Sequence, residues 1–269
     1  MKLTPVPIWS VPRSGSSWCA HVFNSSPNVK LAFQPLFSYA FSGAVDATSG
    51  RSEFLRLFED LVSSEDPFVN FGPSLEPIFA VAKGGGSHLV IKETRFLEVS
   101  RTLTRLVPES RSIGLIRCPL AVLASWRLAP KEFNRYWSFE EEWWFAEKKN
   151  SENAGNAYGY QKWKEAARLL LDLQQEFPDR VFILEYRDLV RDPFECYRAM
   201  FDWVGLQWTE QTDQFVAASR SGDDGDPYGV FRKSRGTDDG WQEVLSPAVV
   251  EAVWKDLQGT ELSQFLSVI

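Results

Sequence analysis

The chain has 269 residues, of which 44% are hydrophobic and 24% are charged, and its formal net charge is −7. This composition is typical of a soluble globular protein with one large domain or two small ones. The negative net charge argues against general binding to nucleic acids or other polyanions, which need a positively charged face.

Three cysteines, Cys19, Cys118 and Cys196, lie far apart in the sequence. Their number and spacing fit neither a metal site nor a disulfide framework, so we expect a reducing compartment. No apolar run is long enough for a transmembrane helix, and no signal peptide precedes the first predicted strand. The sequence therefore predicts a cytoplasmic protein without a membrane span, and it leaves the oligomeric state open.

Short apolar runs rich in β-branched residues predict strands that are buried on both faces. They are PVPIWSV at 5–11, VKLAF at 29–33, HLVIKE at 88–93, SIGLIR at 112–117 and RVFILEY at 180–186. Helical spacing of apolar residues lies between them, for example over 96–106 and 163–177. This alternation predicts an α/β fold with a single domain over 1–269, in which a central parallel sheet of about five strands carries helices on both faces. Ligands of such sheets bind at the carboxyl ends of the strands.

The first predicted strand runs into PRSGSSW, residues 12–18, and then into a helical pattern. Small hydroxyl side chains around Gly15 at a strand-to-helix turn are typical of a backbone that wraps an anion, because a helix N-terminus offers free N–H groups and partial positive charge. Arg13 adds a full charge there. The turn lacks the lysine and second glycine of a P-loop, which argues against a kinase or ordinary nucleoside triphosphatase. A serine-rich helix cap is the alternative interpretation.

The fourth predicted strand ends at Arg117, within LIRCPLAVLASWR at 115–127, and Pro119 suits the first turn of a following helix. Ser125 lies eight residues after Arg117, about two helical turns along. An arginine can hold a phosphate with two hydrogen bonds, and a serine adds a neutral donor. The alternative is an arginine that caps a strand edge and a buried helical serine.

Two later segments do not fit the alternation of predicted strands and helices. Residues 130–160 are aromatic, acidic and polar at once, which predicts an inserted, lid-like helical segment. Residues 221–241 are rich in glycine and aspartate, which predicts an irregular loop. Long loops on a rigid scaffold frequently carry function.

Four segments, in order from residue 7 to residue 241, resemble the motifs of sulfotransferases that use 3′-phosphoadenosine 5′-phosphosulfate (PAPS). PRSGSSW resembles the loop for the 5′-phosphosulfate, and LIRCPLAVLASWR resembles the element for the 3′-phosphate, with Cys118 where Asp or Asn is usual. The segment beginning LEYRDL at 184 resembles the family's Tyr-Glu-Asp-Leu segment. FRKSRGTDDGW at 231–241 resembles a late loop that folds over the nucleotide, with Ser234 replacing a glycine.

The resemblance implies a P-loop-like sulfotransferase fold, PAPS as sulfate donor, PAP (the desulfated nucleotide) as product, and no required metal. It implies a nucleotide site formed by Arg13, Ser14, Gly15, Ser16, Ser17, Trp18, Arg117, Ser125, Tyr186, Arg232 and Lys233. Within this set, Tyr186 is expected near the adenine, and the segment 221–241 is expected to cover the nucleotide.

The resemblance also implies catalytic roles. Arg13 matches the catalytic lysine of cytosolic members, where a cation stabilises the charge that grows on the leaving phosphate oxygen. Lys92 matches a strand-ending lysine, but Thr94 stands where those members carry a catalytic histidine. Because other members use a glutamate, Glu93 is the candidate base. The alternative is an ion pair of Glu93 with Lys92 or Arg95.

The two histidines compete with Glu93 for the role of base. His88 begins its predicted strand and should lie at the far edge of the sheet, and His21 is expected to pack inside the first helix. Neither position favours catalysis.

Acceptor-side residues are expected in two places. Gln34 in FQPLF stands where related enzymes carry a glutamate, and YWSFEEEWWF at 136–145 contributes Trp137, Trp143 and Trp144 beside three glutamates. Aromatic faces attract cations, and the negative net charge repels sulfated polysaccharides. We therefore expect a small-molecule acceptor with a hydroxyl or amine. A carbohydrate acceptor, and a protein that binds the nucleotide without catalysis, remain alternatives.

Overall fold

The structure is a computed structural model that describes residues 3–150, 155, 157–222, 225–231 and 237–266. Its sheet has five parallel strands, which confirms the predicted α/β fold. The strands are β1 Thr4–Trp9, β2 Val29–Phe33, β3 His88–Glu93, β4 Ser112–Ile116 and β5 Val181–Glu185. Their order in the sheet is β2-β3-β1-β4-β5. Strands β2 and β3 lie to one side of β1 within the sheet, and β4 and β5 lie to the other. The strand order therefore reverses direction at β1, and sheets of this kind bind ligands in the crevice at the carboxyl end of that strand.

Helices connect the strands throughout the described residues. They are α1 Ser16–Asn24, α2 Arg51–Ser63, α3 Pro67–Phe71, α4 Val99–Leu106, α5 Pro119–Arg127, α6 Phe139–Glu142, α7 Glu147–Asn150, α8 Tyr160–Glu176, α9 Tyr186–Arg191, α10 Pro193–Val204, α11 Glu210–Ser221 and α12 Pro247–Leu257. Short 3-10 turns lie at Pro35–Phe37, Gly72–Ser74, Gly240–Glu243 and Glu261–Phe265.

Each face of the sheet carries its own apolar core. Helices α1, α10 and α11 pack on one face, where Phe23 and Phe201 stack with ring centroids 4.8 Å apart. Helices α2, α4, α5, α8 and α12 pack on the other face around Trp126 and Trp163, which are both buried. A sheet covered on both faces explains why its strands are nearly continuous apolar runs.

The described part of the predicted lid segment packs against the second core. Phe133, Phe139 and Tyr158 surround Trp126, with ring centroids 5.2, 6.2 and 5.6 Å from it. Much of the aromatic content of this segment therefore serves to attach it to helix α5.

Among the described residues, no helix is both long and apolar enough to cross a membrane. Cys19, Cys118 and Cys196 are free thiols. The cytoplasmic location stays a prediction.

Candidate functional site

The loop between β1 and α1 has an unusual backbone. Arg13 and Gly15 both have positive φ angles, 71° and 88°. A positive φ is uncommon for a residue other than glycine, and such residues cluster at ligand sites. The Ser14 hydroxyl oxygen is buried and has no hydrogen-bond partner among the described residues. A buried donor without a partner, beside the N-terminus of α1, fits a loop that receives an anion.

The ring of Tyr186 lies directly against this loop. A Cβ atom on Gly15 would lie 2.3 Å from Cε2 of Tyr186, which is closer than real Cβ contacts. Tyr186 begins α9 at the carboxyl end of β5, so the ring reaches the loop across β4. Gly15 is therefore required both by its backbone conformation and by this close approach.

We expect Gly15→Ala to destabilise the protein by about 2 kcal/mol more than Gly43→Ala, because only Gly15 adds an overlap to the strain of a positive φ. Gly43 is a matched control, since its φ is 74° and nothing lies within 4 Å of the added Cβ. Denaturant unfolding measures both changes. The double variant Gly15→Ala/Tyr186→Ala should recover part of the loss, and equal destabilisation of the two alanine variants would contradict this account.

The Arg13 guanidinium bridges several parts of the chain. Nε donates to Ser125 Oγ at 3.1 Å, and Nη2 donates to the carbonyl of Pro227 at 2.7 Å. The ring of Tyr228 lies 5.0 Å away, and Glu132 Oε2 lies 3.9 Å from Nη1. Arg13 is thus held between helix α5, the segment 225–231 and the turn that follows α5.

Arg117 joins the two predicted phosphate elements. Its Nη1 donates to the Arg13 carbonyl at 2.8 Å, and its guanidinium lies over the Tyr186 ring at 4.5 Å. Nε donates to both carboxylate oxygens of Asp238 at 3.0 Å, and Nη2 donates to Oδ1 at 2.5 Å. Burial lowers the pKa of Arg117, but the Asp238 carboxylate reverses this effect and leaves the pKa above its usual value. The arginine therefore stays charged.

The ends of β2 and β3 place Lys92, Glu93 and Gln34 beside this loop. Lys92 Nζ lies 4.3 Å from the centroid of the Phe33 ring. Burial lowers the pKa of Lys92, and the carboxylates of Glu93 and Glu132 oppose that shift. Backbone hydrogen bonds link the strand ends, since the Gln34 N–H donates to the Lys92 carbonyl at 2.7 Å.

Glu93 is buried completely, and its Oε1 accepts a hydrogen bond from the Leu36 N–H at 2.7 Å. Burial raises the pKa of Glu93. The Gln34 side-chain amide donates to the hydroxyl of Thr94, the residue at the position of the family's histidine. The catalytic role of Glu93 and the acceptor role of Gln34 stay predictions.

The predicted acceptor-side tryptophans contact other aromatic residues. Trp137 packs against Phe133 at 5.7 Å, and Trp143 and Trp144 pack against Tyr160 at 5.8 and 5.0 Å. The nearby Lys148 Nζ lies 3.3 Å from Glu141 and 3.5 Å from Glu142. These contacts are those of a packed segment, and a role of the three tryptophans in acceptor binding stays a prediction.

The remaining predicted nucleotide residues lie around the same loop or beyond the description. Ser16 and Ser17 begin α1, and Trp18 donates from Nε1 to Ser219 Oγ at 2.9 Å. Arg232 and Lys233 lie outside the described residues.

Both histidines lie where the sequence places them. His88 pairs in register with Thr4 and Val29 at the amino ends of the strands, and its Nε2 lies 3.0 Å from the Val204 carbonyl. Burial, followed by the charges of Lys92 and Lys83, lowers the pKa of His21 to about 4. His21 is therefore a neutral packing residue at neutral pH.

The sequence did not single out Glu132, Tyr228 or Asp238, which the structure places around the two arginines. Each contacts residues more than sixty positions away, so no local spacing could have identified them. A group of three or more His, Cys, Asp or Glu side chains able to hold a metal ion is absent from the described residues.

The chain is similar to known proteins both in sequence and in structure. A family model described as "Sulfotransferase family" matches residues 5–210. The chain is similar to mouse sulfotransferase SULT7A1 complexed with PAP, at 13% identity and a TM-score of 0.59, over 97% of this chain and 87% of that chain. It is also similar to the sulfotransferase domain from the Synechococcus PCC 7002 olefin synthase, at 19% identity and a TM-score of 0.53, over 91% of this chain and 90% of that chain.

Retinol dehydratase in complex with androsterone and inactive cofactor PAP is a third similar structure. It is 13% identical with a TM-score of 0.54, and the match covers 97% of this chain and 83% of that chain. At these identities the structures demonstrate a shared fold. No curated protein matches the sequence significantly.

Proposed function

The chain belongs to the sulfotransferase family, and we propose that it moves the sulfuryl group of PAPS to a hydroxyl or amine of a small-molecule acceptor and releases PAP. The observation that carries this proposal is the hydrogen bond of 2.8 Å between Arg117 Nη1 and the Arg13 carbonyl. It joins the loop after β1 to the end of β4, so two elements that each suit a phosphate form one anion site. PAP in two of the similar structures supports the choice of nucleotide.

The chain offers donors for both ends of such a nucleotide. We assign the 5′-phosphosulfate to the loop at 13–18, where the N-terminus of α1 and the Ser14 hydroxyl, which has no partner among the described residues, can donate to an anion. We assign the 3′-phosphate to Arg117 and Ser125, and the adenine to the neighbourhood of Trp18 and Tyr186.

PAPS supplies an activated sulfuryl group, and transfer in line with the leaving oxygen places growing negative charge on that oxygen. Arg13 is the cation that we assign to this charge, and Lys92 lies near it at the carboxyl end of β3. Arginine cannot give up its proton at neutral pH, so Arg13 acts through its charge. A base must accept the proton of the acceptor, and Glu93 and Glu132 are carboxylates of the described residues that lie near Lys92.

The acceptor is proposed to be a small molecule. Androsterone in the retinol dehydratase complex supports an acceptor of this size, and the net charge of −7 disfavours a polyanionic chain. We place it beside the segment 130–160, with Gln34 orienting it. The three free thiols support a reducing, cytoplasmic location.

An acceptor screen with PAPS tests the proposal. Small phenols, amino alcohols, guanidines and heparan-type chains are offered separately, and formation of PAP is measured. We expect turnover with at least one small-molecule class. Efficient sulfation of the polysaccharide alone would contradict the acceptor class, and PAP binding without turnover on any acceptor would indicate a nucleotide-binding protein without catalysis.

A further inference from the structure

Glu132 lies in the turn that follows α5, and its backbone is fixed at two points. Its N–H donates to the Ala129 carbonyl at 2.9 Å, and its own carbonyl accepts from Trp126 Nε1 at 3.3 Å. Trp126 is buried in the core of the second face. The Glu132 side chain therefore starts from a rigid point of the scaffold, as a functional group requires.

The Glu132 carboxylate is directed at the site. Its Oε2 lies 3.9 Å from Arg13 Nη1 and is buried, without a hydrogen-bond partner in the part of the chain that the structure describes. The side chain is nevertheless 21% exposed, so a molecule from solvent can approach it. A buried carboxylate oxygen without a donor is costly, and proteins retain such groups where function uses them.

Glu93 differs from Glu132 in its exposure, since it is 0% exposed. Its Oε2, like that of Glu132, has no hydrogen-bond partner among the described residues, and its Oε1 accepts from the Leu36 N–H in the turn Pro35–Phe37. This carboxylate has no surface exposed to an acceptor that approaches from solvent. The hydrogen bond to Leu36 is instead typical of a side chain that fixes the turn after β2.

We propose that Glu132, rather than Glu93, is the general base that accepts the proton of the acceptor; this inference rests on the proposed sulfotransferase function. The acceptor O–H or N–H proton passes to a carboxylate oxygen of Glu132, and the electron pair left on the acceptor forms the new bond to sulfur. The bond between sulfur and the phosphate oxygen breaks, and its electron pair leaves with PAP, where Arg13 faces the added charge.

Charged and titratable groups from several elements surround Glu132. They are Arg13 after β1, Lys92 on β3, Lys149 on α7, Tyr158 before α8 and Tyr228 in the segment 225–231. Burial raises the pKa of Tyr158, and the charge of the Glu132 carboxylate and a hydrogen bond with it raise the pKa further, so this phenol stays protonated at neutral pH.

Glu132→Gln is expected to lower turnover by about 100-fold or more, because positioned general bases contribute factors of this size. PAP affinity, measured by calorimetry, should stay within about threefold of the parent or become tighter, since a negative charge is removed beside an anion site. Glu251→Gln, on the exposed face of α12, is the matched control and should behave as the parent.

A readout that needs no turnover completes the test. Calorimetry of PAP binding in buffers of different ionisation heat counts the protons that accompany binding. An anion that binds beside Arg13 adds negative charge next to the Glu132 carboxylate, so the parent and Glu132→Gln should differ in the number of protons taken up on PAP binding. Equal uptake, or parental turnover in Glu132→Gln together with loss of turnover in Glu93→Gln, would overturn the assignment. Absence of PAPS turnover in the parent would instead refute the proposed function.

Discussion

Arg13→Ala is expected to lower turnover by about 100- to 1,000-fold, the range found when one donor that faces developing charge is removed. PAP affinity should fall much less. The leaving phosphate oxygen gains charge only as the bond to sulfur breaks, so a cation at that point stabilises the transition state more than the bound nucleotide. Measurement of kcat with the best acceptor of the screen, and of the PAP dissociation constant by calorimetry, separates the two effects.

Arg13→Lys should recover part of the lost rate. A lysine keeps the charge but lacks the planar group that reaches Ser125 and the Pro227 carbonyl together. Arg198→Ala serves as the control, because Arg198 forms an ion pair of 2.9 Å with Asp213 and its side chain is 55% exposed. Normal turnover combined with weak PAP binding in Arg13→Ala would assign Arg13 to nucleotide binding alone.

The strands and the strand-to-helix turn after β1 could be predicted because their signals are local. HLVIKE has the same bounds in the sequence pattern and in the structure, since a strand buried on both faces is a continuous apolar run between polar breaks. RVFILEY is shorter by one residue at each end, since β5 is Val181–Glu185 and Tyr186 begins α9. The turn PRSGSSW is equally local, as its glycine and hydroxyl residues occupy a strand-to-helix junction.

The surroundings of the two arginines could not be predicted in this way. Arg117 and Asp238 are 121 positions apart, and their pairing depends on how the segment after α11 returns to the sheet. The role of the aromatic residues could not be predicted for a different reason. A tryptophan in a core and a tryptophan in a binding pocket have the same hydropathy, so the sequence does not distinguish them. Trp143 and Trp144 contact Tyr160, and only the tertiary structure reveals this packing.

Arg117→Ala is expected to weaken PAP binding by about 100-fold, or about 3 kcal/mol, the scale for removal of hydrogen bonds between charged groups. Calorimetric titration with PAP measures the change. Titration with 5′-AMP, which lacks the 3′-phosphate, provides the control and should give nearly the same affinity in parent and variant. Equal PAP affinity in both proteins would contradict the assignment of the 3′-phosphate to Arg117.

Asp238 provides a second test of this assignment, because its carboxylate accepts hydrogen bonds from the Arg117 guanidinium that we assign to the 3′-phosphate. Both Nε and Nη2 of Arg117 donate to Asp238, and Nη1 donates to the Arg13 carbonyl, so a phosphate that binds Arg117 must displace the carboxylate. Asp238→Asn should therefore tighten PAP binding by about tenfold, since it removes a charged competitor. The two substitutions thus act in opposite directions on one contact. If Asp238→Asn instead weakened PAP binding, Asp238 would be the residue that orients Arg117 toward the phosphate, and the pair would persist in the complex.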